Sequence, residues 1–153
     1  MGEPDAITPH QIAESLLDRT GKAMDRGDFD EFADCFVYPR EIETFTGKRL
    51  LANREDAREV FENVRLHYRS KGVTQVVRHC VDAAFEDEAT IASTHETRLL
   101  RDNLLVQDPF VVLSTLIRTA RGWKIGSTKY AIRDAPAHNT ALSGPAARDI
   151  DEV

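Results

Sequence analysis

Apolar positions recur at helical spacing in the first half of the chain and alternate in the second, with the change near Val73. The first helix opens at Thr8-Pro9-His10-Gln11. There Thr8 caps, Pro9 suits the first turn and Gln11 completes a capping box. Ile12, Leu16, Ala23 and Met24, joined by Ala13 and Thr20, form its apolar stripe, and Gly27 stops it. Asp28 caps a short second helix by the same logic, with Glu31 reaching back and Phe29, Phe32, Ala33 and Phe36 on the buried side. Pro39 ends that helix, and residues 40–46 alternate as one short strand: Ile42, Thr44 and Thr46 against Glu41, Glu43 and Phe45, closed by Gly47-Lys48. Asn53 caps a third helix, where Glu55 and Asp56 complement the dipole. Ala57, Val60, Phe61 and Val64, extended by His67 or Tyr68, form its core face as far as Gly72.

Long strands follow. Residues 75–85 and 89–99 read as a β-hairpin turning at Glu86-Asp87-Glu88. Asp102-Asn103 turns into a third long strand over 105–119, and Ala120-Arg121-Gly122 turns into a fourth over 123–133. Pro109 inside the third strand implies an edge or a bulge. The tail from Asp134 shows no periodicity and is expected to be mobile, as are residues 1–7. Helices followed by strands predict an α+β fold: one domain over residues 8–133, with about three helices on the concave face of a curved antiparallel sheet.

A turn centred on Asp87 places His79 directly across from His95, and Arg78 across from Glu96. The opposite-charge pair belongs on the wetter side. That assigns the histidines, with Val77, Val81, Ala83, Phe85, Ile91, Ser93, Thr97 and Leu99, to the helix-covered interior. Carrying the register onward adds Asp108, Phe110, Val112, Ser114 and Leu116, with Phe110 opposite His95 and Asp108 diagonal to it. The last strand adds Trp123, Ile125, Ser127 and Lys129. A one-residue slip at a bulge would reverse any of these placements. The third strand's other face, with Val111, Leu113 and Ile117, is also apolar. That predicts a second sheet over it, most simply in a homodimer joined through the outer sheet face.

Composition narrows the function. A net charge of −6 over 153 residues, with no long basic run, argues against a nucleic-acid partner. No apolar run suits a membrane span, and the start of the chain lacks the basic and apolar regions of a signal peptide. Cys35 and Cys80 have no close sequence partner and read as buried thiols in a reducing compartment, so a cytoplasmic protein is expected. No spacing motif points to a cofactor or metal, although two cross-strand histidines with Asp108 have the donor types for a divalent ion.

The candidate chemistry is acid–base. His79 and His95 in one cavity would each tune the other near neutral pH, with Asp108 orienting a ring. Phe110 and Trp123 would wall the cavity, Lys129 would offer an inward amine, and Tyr38 would line its mouth. The competing readings are structural: hydrogen-bonded core histidines, a bulge aspartate, a core-plugging tryptophan beside Phe85 or Phe36, and an outward lysine.

The element order, the phrase Asp28-Phe29-Asp30-Glu31-Phe32, the capped helix at Asn53, and Arg121-Gly122-Trp123-Lys124-Ile125 opening the last strand are similar to the nuclear transport factor 2-like superfamily, and within it to the SnoaL-like group. The resemblance spans residues 8–133. It implies a cone-shaped fold with a deep pocket, in a superfamily that holds ketosteroid isomerases, dehydratases, polyketide cyclases, epoxide hydrolases and non-catalytic binding proteins. On the dehydratase pattern, His79 and His95 would move protons while Tyr38 or Tyr68 holds a substrate oxygen. The resulting expectation is a small-molecule pocket protein, working as a cofactor-independent dehydratase, isomerase or cyclase on a small apolar substrate. The alternative is a non-catalytic ligand-binding or dimeric accessory domain.

Overall fold

The computed structural model describes residues 7–144. The expected caps set the helix starts. In α1 (Pro9–Arg26) the Thr8 hydroxyl accepts from the Gln11 N–H at 3.1 Å, and the Gln11 side chain accepts from the Thr8 N–H at 2.9 Å. Asp28 caps α2 (Phe29–Asp34), but Glu31 does not reach back; it accepts instead from Arg19 on α1 at 2.7 Å. Asn53 caps α3 (Arg54–Ser70).

The chain between α2 and α3 is a hairpin rather than one strand: β1 (Arg40–Thr44) and β2 (Gly47–Leu51). After α3 come β3 (Gln75–Asp87), β4 (Thr90–Arg101), the two-residue β5 (Leu104–Leu105), β6 (Phe110–Thr119) and β7 (Gly122–Tyr130). The sheet runs β2-β1-β7-β6-β4-β3, with β5 hydrogen-bonded to β4. All pairs are antiparallel except β1 with β7. This is the predicted α+β fold with a curved, mostly antiparallel sheet.

A fourth helix, α4 (Pro136–Ser143), lies where a mobile tail is expected. Its helical face is compositionally weak, yet Ala141 and Leu142 enter the core and His138 is completely buried. Of the two expected mobile segments, residues 1–6 and 145–153 lie outside the described residues.

Burial divides the core into two clusters. Phe29, Phe61, Val64, Leu99, Phe110 and Leu142 join α2, α3 and α4 to the sheet, while Ile12, Leu16, Phe36, Ile91, Leu116 and Ile125 join α1 to it. Each fully buried Phe or Leu is worth about 1.5–3 kcal/mol of transfer free energy. The odd positions of β4 and the even positions of β6 face inward, as the alternation predicts. On the outer face Val111 and Leu113 are 38% and 49% exposed.

The β3–β4 hairpin turns at Glu88-Ala89 rather than around Asp87, with a register shift between Phe85↔Ile91 and Asp87↔Thr90, and two further bulges break the predicted faces. In β3, Phe85 pairs with Ile91 and Ala83 with Ser93, but the register shifts between Asp82↔Thr94 and Cys80↔His95, leaving Val81 as an extra residue. Side chains alternate along a strand, so one extra residue reverses the phase beyond it. Arg78 and Cys80 therefore turn inward, and His79 becomes exposed opposite Glu96. The expected Arg78–Glu96 pair does not form; Arg98 pairs with Glu96 at 2.9 Å instead. In β7 the register shifts between Leu116↔Ile125 and Ser114↔Thr128. The extra residue falls at Gly126-Ser127. Ile125, Thr128 and Tyr130 face inward, while Ser127 and Lys129 are exposed.

Candidate functional site

The concave face of the sheet and the facing sides of α1 and α3 enclose a cavity of about 670 Å³. Leu16, Leu17, Phe32, Phe36, Phe61 and Leu116 supply much of its apolar wall. Polar groups converge on it from different elements: Thr20 from α1, Tyr68 from α3, Arg40 from β1, Arg78 from β3, His95 and Thr97 from β4, Ser114 from β6, and Thr128 and Tyr130 from β7.

His95 is 7% exposed. Burial, then the charge of Arg78 and the neighbouring His79, hold its pKa down to about 3. It is therefore a neutral imidazole at physiological pH. Arg78 reaches across to α1, where one Nη2 donates to the Leu17 carbonyl and to the Thr20 hydroxyl, both at 2.7 Å. Gly21 makes room for it: a Cβ there would lie 3.1 Å from that nitrogen. Arg40 is 5% exposed and stacks over the Phe36 ring, its Cζ 4.0 Å from the centroid. Its Nε and Nη1 are buried without a hydrogen-bond partner among the described residues, as is the Thr128 hydroxyl.

Tyr68 connects the cavity to α4. Its hydroxyl lies 3.2 Å from Nε2 of His138, whose Nδ1 is 3.3 Å from the Gln107 amide nitrogen. With that amide donating to Nδ1, the ring proton sits on Nε2 and donates to the phenol oxygen. The Tyr68 hydrogen is then free to point at the cavity. Burial, followed by the nearby His67, pushes His138 down to about 3, and burial pushes Tyr68 well above the usual phenol range.

Of the residues singled out from the sequence, the cavity brings together His95, Tyr68 and Phe110. His79 is on the outer face because of the Val81 bulge, so the two histidines do not face each other, and Phe110 pairs with Thr97 rather than His95. Asp108 lies before β6, exposed, in a separate hollow of about 280 Å³. The Asp134 carboxyl beside it raises its pKa. Lys129 points outward because of the β7 bulge. Trp123 packs against Phe85 with centroids 6.0 Å apart, away from the cavity. Tyr38 wedges between the two core clusters and donates to the Ala33 carbonyl at 3.3 Å.

Sequence reasoning missed Arg40, Arg78, Thr128 and Tyr130. Arg40 was within its reach, since it shares the inward phase of Ile42 and Thr44. The glycine in the middle of α1 was a signal too, because Gly costs about 1 kcal/mol there relative to Ala and implies a close neighbour.

Residues 11–130, from α1 to the end of β7, match the family described as NTF2-like protein (DUF6841). The chain belongs to that family. The solved structures it resembles include an NTF2-like protein with a cystatin-like fold from Novosphingobium aromaticivorans (16% identity, 88% of each chain covered, TM-score 0.63). A domain of unknown function with a cystatin-like fold from Nostoc punctiforme aligns at 16% identity over 82% of this chain and 77% of that one, TM-score 0.62. A protein of the NTF2-like family from Streptomyces avermitilis, provisionally named a dehydratase, aligns at 17% identity over 81% of this chain and 95% of that one, TM-score 0.59. At these identities the likeness establishes the fold alone. No curated protein matches. Within the described residues of this NTF2-like protein, no helix is long and apolar enough to cross a membrane.

Proposed function

We propose that this NTF2-like protein takes up a small, largely apolar molecule in the cavity between sheet and helices, and that His95 is the group there that exchanges a proton with it. One observation carries the reading: a cavity of about 670 Å³ with apolar walls, into which a neutral imidazole, a phenol and several hydroxyls converge. Such a volume suits a drug-sized ligand. A neutral His95 can accept a proton, and the free Tyr68 hydrogen can hold a substrate oxygen. This is the division of labour in cofactor-independent elimination or isomerisation. The provisional name of the Streptomyces avermitilis neighbour is of that class. Simple uptake without turnover is the second reading. It is favoured by the low basicity of His95 and by the placement of His79 and Asp108 outside the cavity.

The test is a titration with the neutral dye N-phenyl-1-naphthylamine, which fluoresces in apolar surroundings. Saturable uptake at one site per chain is expected, together with its loss in Ser114→Phe, which fills the cavity. On uptake the ring signals of His95 should move by NMR while those of His79 stay in place. Dye fluorescence that never saturates, or that Ser114→Phe leaves intact, would rule out the cavity as the site. Shifts at His79 instead of His95 would rule out the proton-transfer role.

A further inference from the structure

The cavity holds more positive charge than it can satisfy. A guanidinium stays protonated in proteins, and taking an ion out of water is expensive unless a counter-charge or full hydrogen bonding accompanies it. Arg40 has neither. The titratable groups that reach it electrostatically are the phenols of Tyr130 and Tyr38, and neither is a carboxylate. Among the described residues no carboxylate lies within 4 Å of Arg40 or Arg78 in a salt bridge. Arg78 spends one nitrogen on two neutral acceptors, the Leu17 carbonyl and Thr20.

Carboxylates do border the cavity, but at the α1 rim, and two of them are already engaged. Glu14 accepts from the Cys80 N–H and lies 3.7 Å from His10. Asp18 pairs with Lys22 at 3.1 Å with its side chain 62% exposed. Asp25 is exposed, and Arg65 and Arg69 stand along the same lining. The rim charges offset one another, while the interior is left cationic.

We propose that the ligand of this cavity is an organic anion: an apolar body carrying an oxyanion group, such as a carboxylate, that supplies the missing counter-charge to Arg40 and Arg78. This rests on the reading of the cavity as a small-molecule site and names the class of molecule. The stacking of Arg40 on Phe36 fixes the plane of the guanidinium before the ligand arrives. Planar donors held this way match carboxylate and sulfonate oxygens better than a mobile ammonium would. The unpartnered Thr128 hydroxyl in the same lining offers a further donor.

The experiment pairs two dyes that share an aromatic body: anionic 1-anilinonaphthalene-8-sulfonate and neutral N-phenyl-1-naphthylamine, titrated into the full chain. The anionic dye should bind at least about tenfold more tightly, the size of one charge-assisted hydrogen bond. Arg40→Met should remove that preference while leaving the neutral dye bound, and should raise the melting temperature of the ligand-free protein by relieving an uncompensated charge. Arg78→Met should reduce the preference in the same direction. Equal affinities for the two dyes, or an undiminished anion preference in both variants, would overturn the anion assignment with the pocket intact. Failure of both dyes to bind would overturn the pocket reading, and this proposal with it.

Discussion

Lowering the pH from 7.5 to 5.0 should weaken the fold through two buried imidazoles, and the loss can be worked from their surroundings. His95 is 7% exposed and His138 fully buried, and burial is the first cause that holds each pKa down to about 3. In the unfolded chain each returns to about 6.5. A folded pKa below the unfolded one means that the unfolded state binds the proton first. The stabilisation is therefore complete above pH 6.5 and is lost as pH falls from there toward 3. At pH 5 the unfolded chain gains about 2 kcal/mol per histidine, at roughly 1.4 kcal/mol per pKa unit, while the folded protein gains almost nothing. The pair together amounts to about 4 kcal/mol, a large part of the roughly 5–15 kcal/mol that holds a typical domain together. His67, pushed down by burial and by Lys71, adds to the loss with the same sign. Urea unfolding at the two pH values should show a midpoint lower by about 2 M at pH 5.0, taking a slope of about 2 kcal/mol/M. His138→Gln keeps an amide that can meet Tyr68. It should lose some stability at pH 7.5 but shrink the pH difference by about half, and His95→Gln should do the same. A wild-type midpoint that does not move, or a His138→Gln protein that keeps the whole difference, would show that these rings are not buried neutral.

Two glycines test the backbone that shapes the cavity. A Cβ on Gly126 would lie 2.9 Å from Ile117 Cδ1 and 3.2 Å from the Thr115 carbonyl oxygen. Gly126→Ala should therefore cost about 1–3 kcal/mol in a thermal melt, and a loss below about 0.5 kcal/mol would refute the bulge described for β7. Gly21→Ala gains about 1 kcal/mol of helix propensity but crowds the Arg78 nitrogen that makes two bonds of 2.7 Å. Charged hydrogen bonds are worth about 1.5–3 kcal/mol each, so net destabilisation is expected, and a stabilised variant would show that Arg78 is not anchored there.

The caps, the helix faces and the inward rows of β4 and β6 were legible in the sequence because each rests on local chemistry or on an unbroken alternation. Thr8 and Gln11, Asn53, and the run Ile91, Ser93, His95, Thr97, Leu99 all behave as their neighbours dictate. The second strand of the β1–β2 hairpin was less visible, because Gly47-Lys48-Arg49-Leu50-Leu51 has no alternation of its own and gains strand form by pairing with β1. Helix α4 hides for a related reason. Pro136 and Ala137 look like tail composition, and only the tertiary fit of His138 against Tyr68, His67 and Phe110 shows why it folds back.

The candidate site was less legible than the fold, because its charge depends on two bulges that alternation alone does not reveal. Both faces of β3 mix apolar and polar residues, so no hydrophobic penalty in the sequence opposes a slip at Val81. The choice is made by the partners that each phase finds. Turned inward, Arg78 reaches the Leu17 carbonyl and Thr20 in the gap left by Gly21, and Cys80 is buried while its N–H meets Glu14. The other phase would bury His79 and leave that gap unfilled. In β7 the bulge at Gly126 works in the opposite sense, turning Lys129 out and Thr128 and Tyr130 in. One bulge thus brings in the Arg78 guanidinium, whose charge adds to burial in keeping His95 neutral, and the other turns the flexible amine of Lys129 out of the cavity. Two inserted residues replace the predicted pair of titrating histidines with one neutral imidazole beside fixed positive charge.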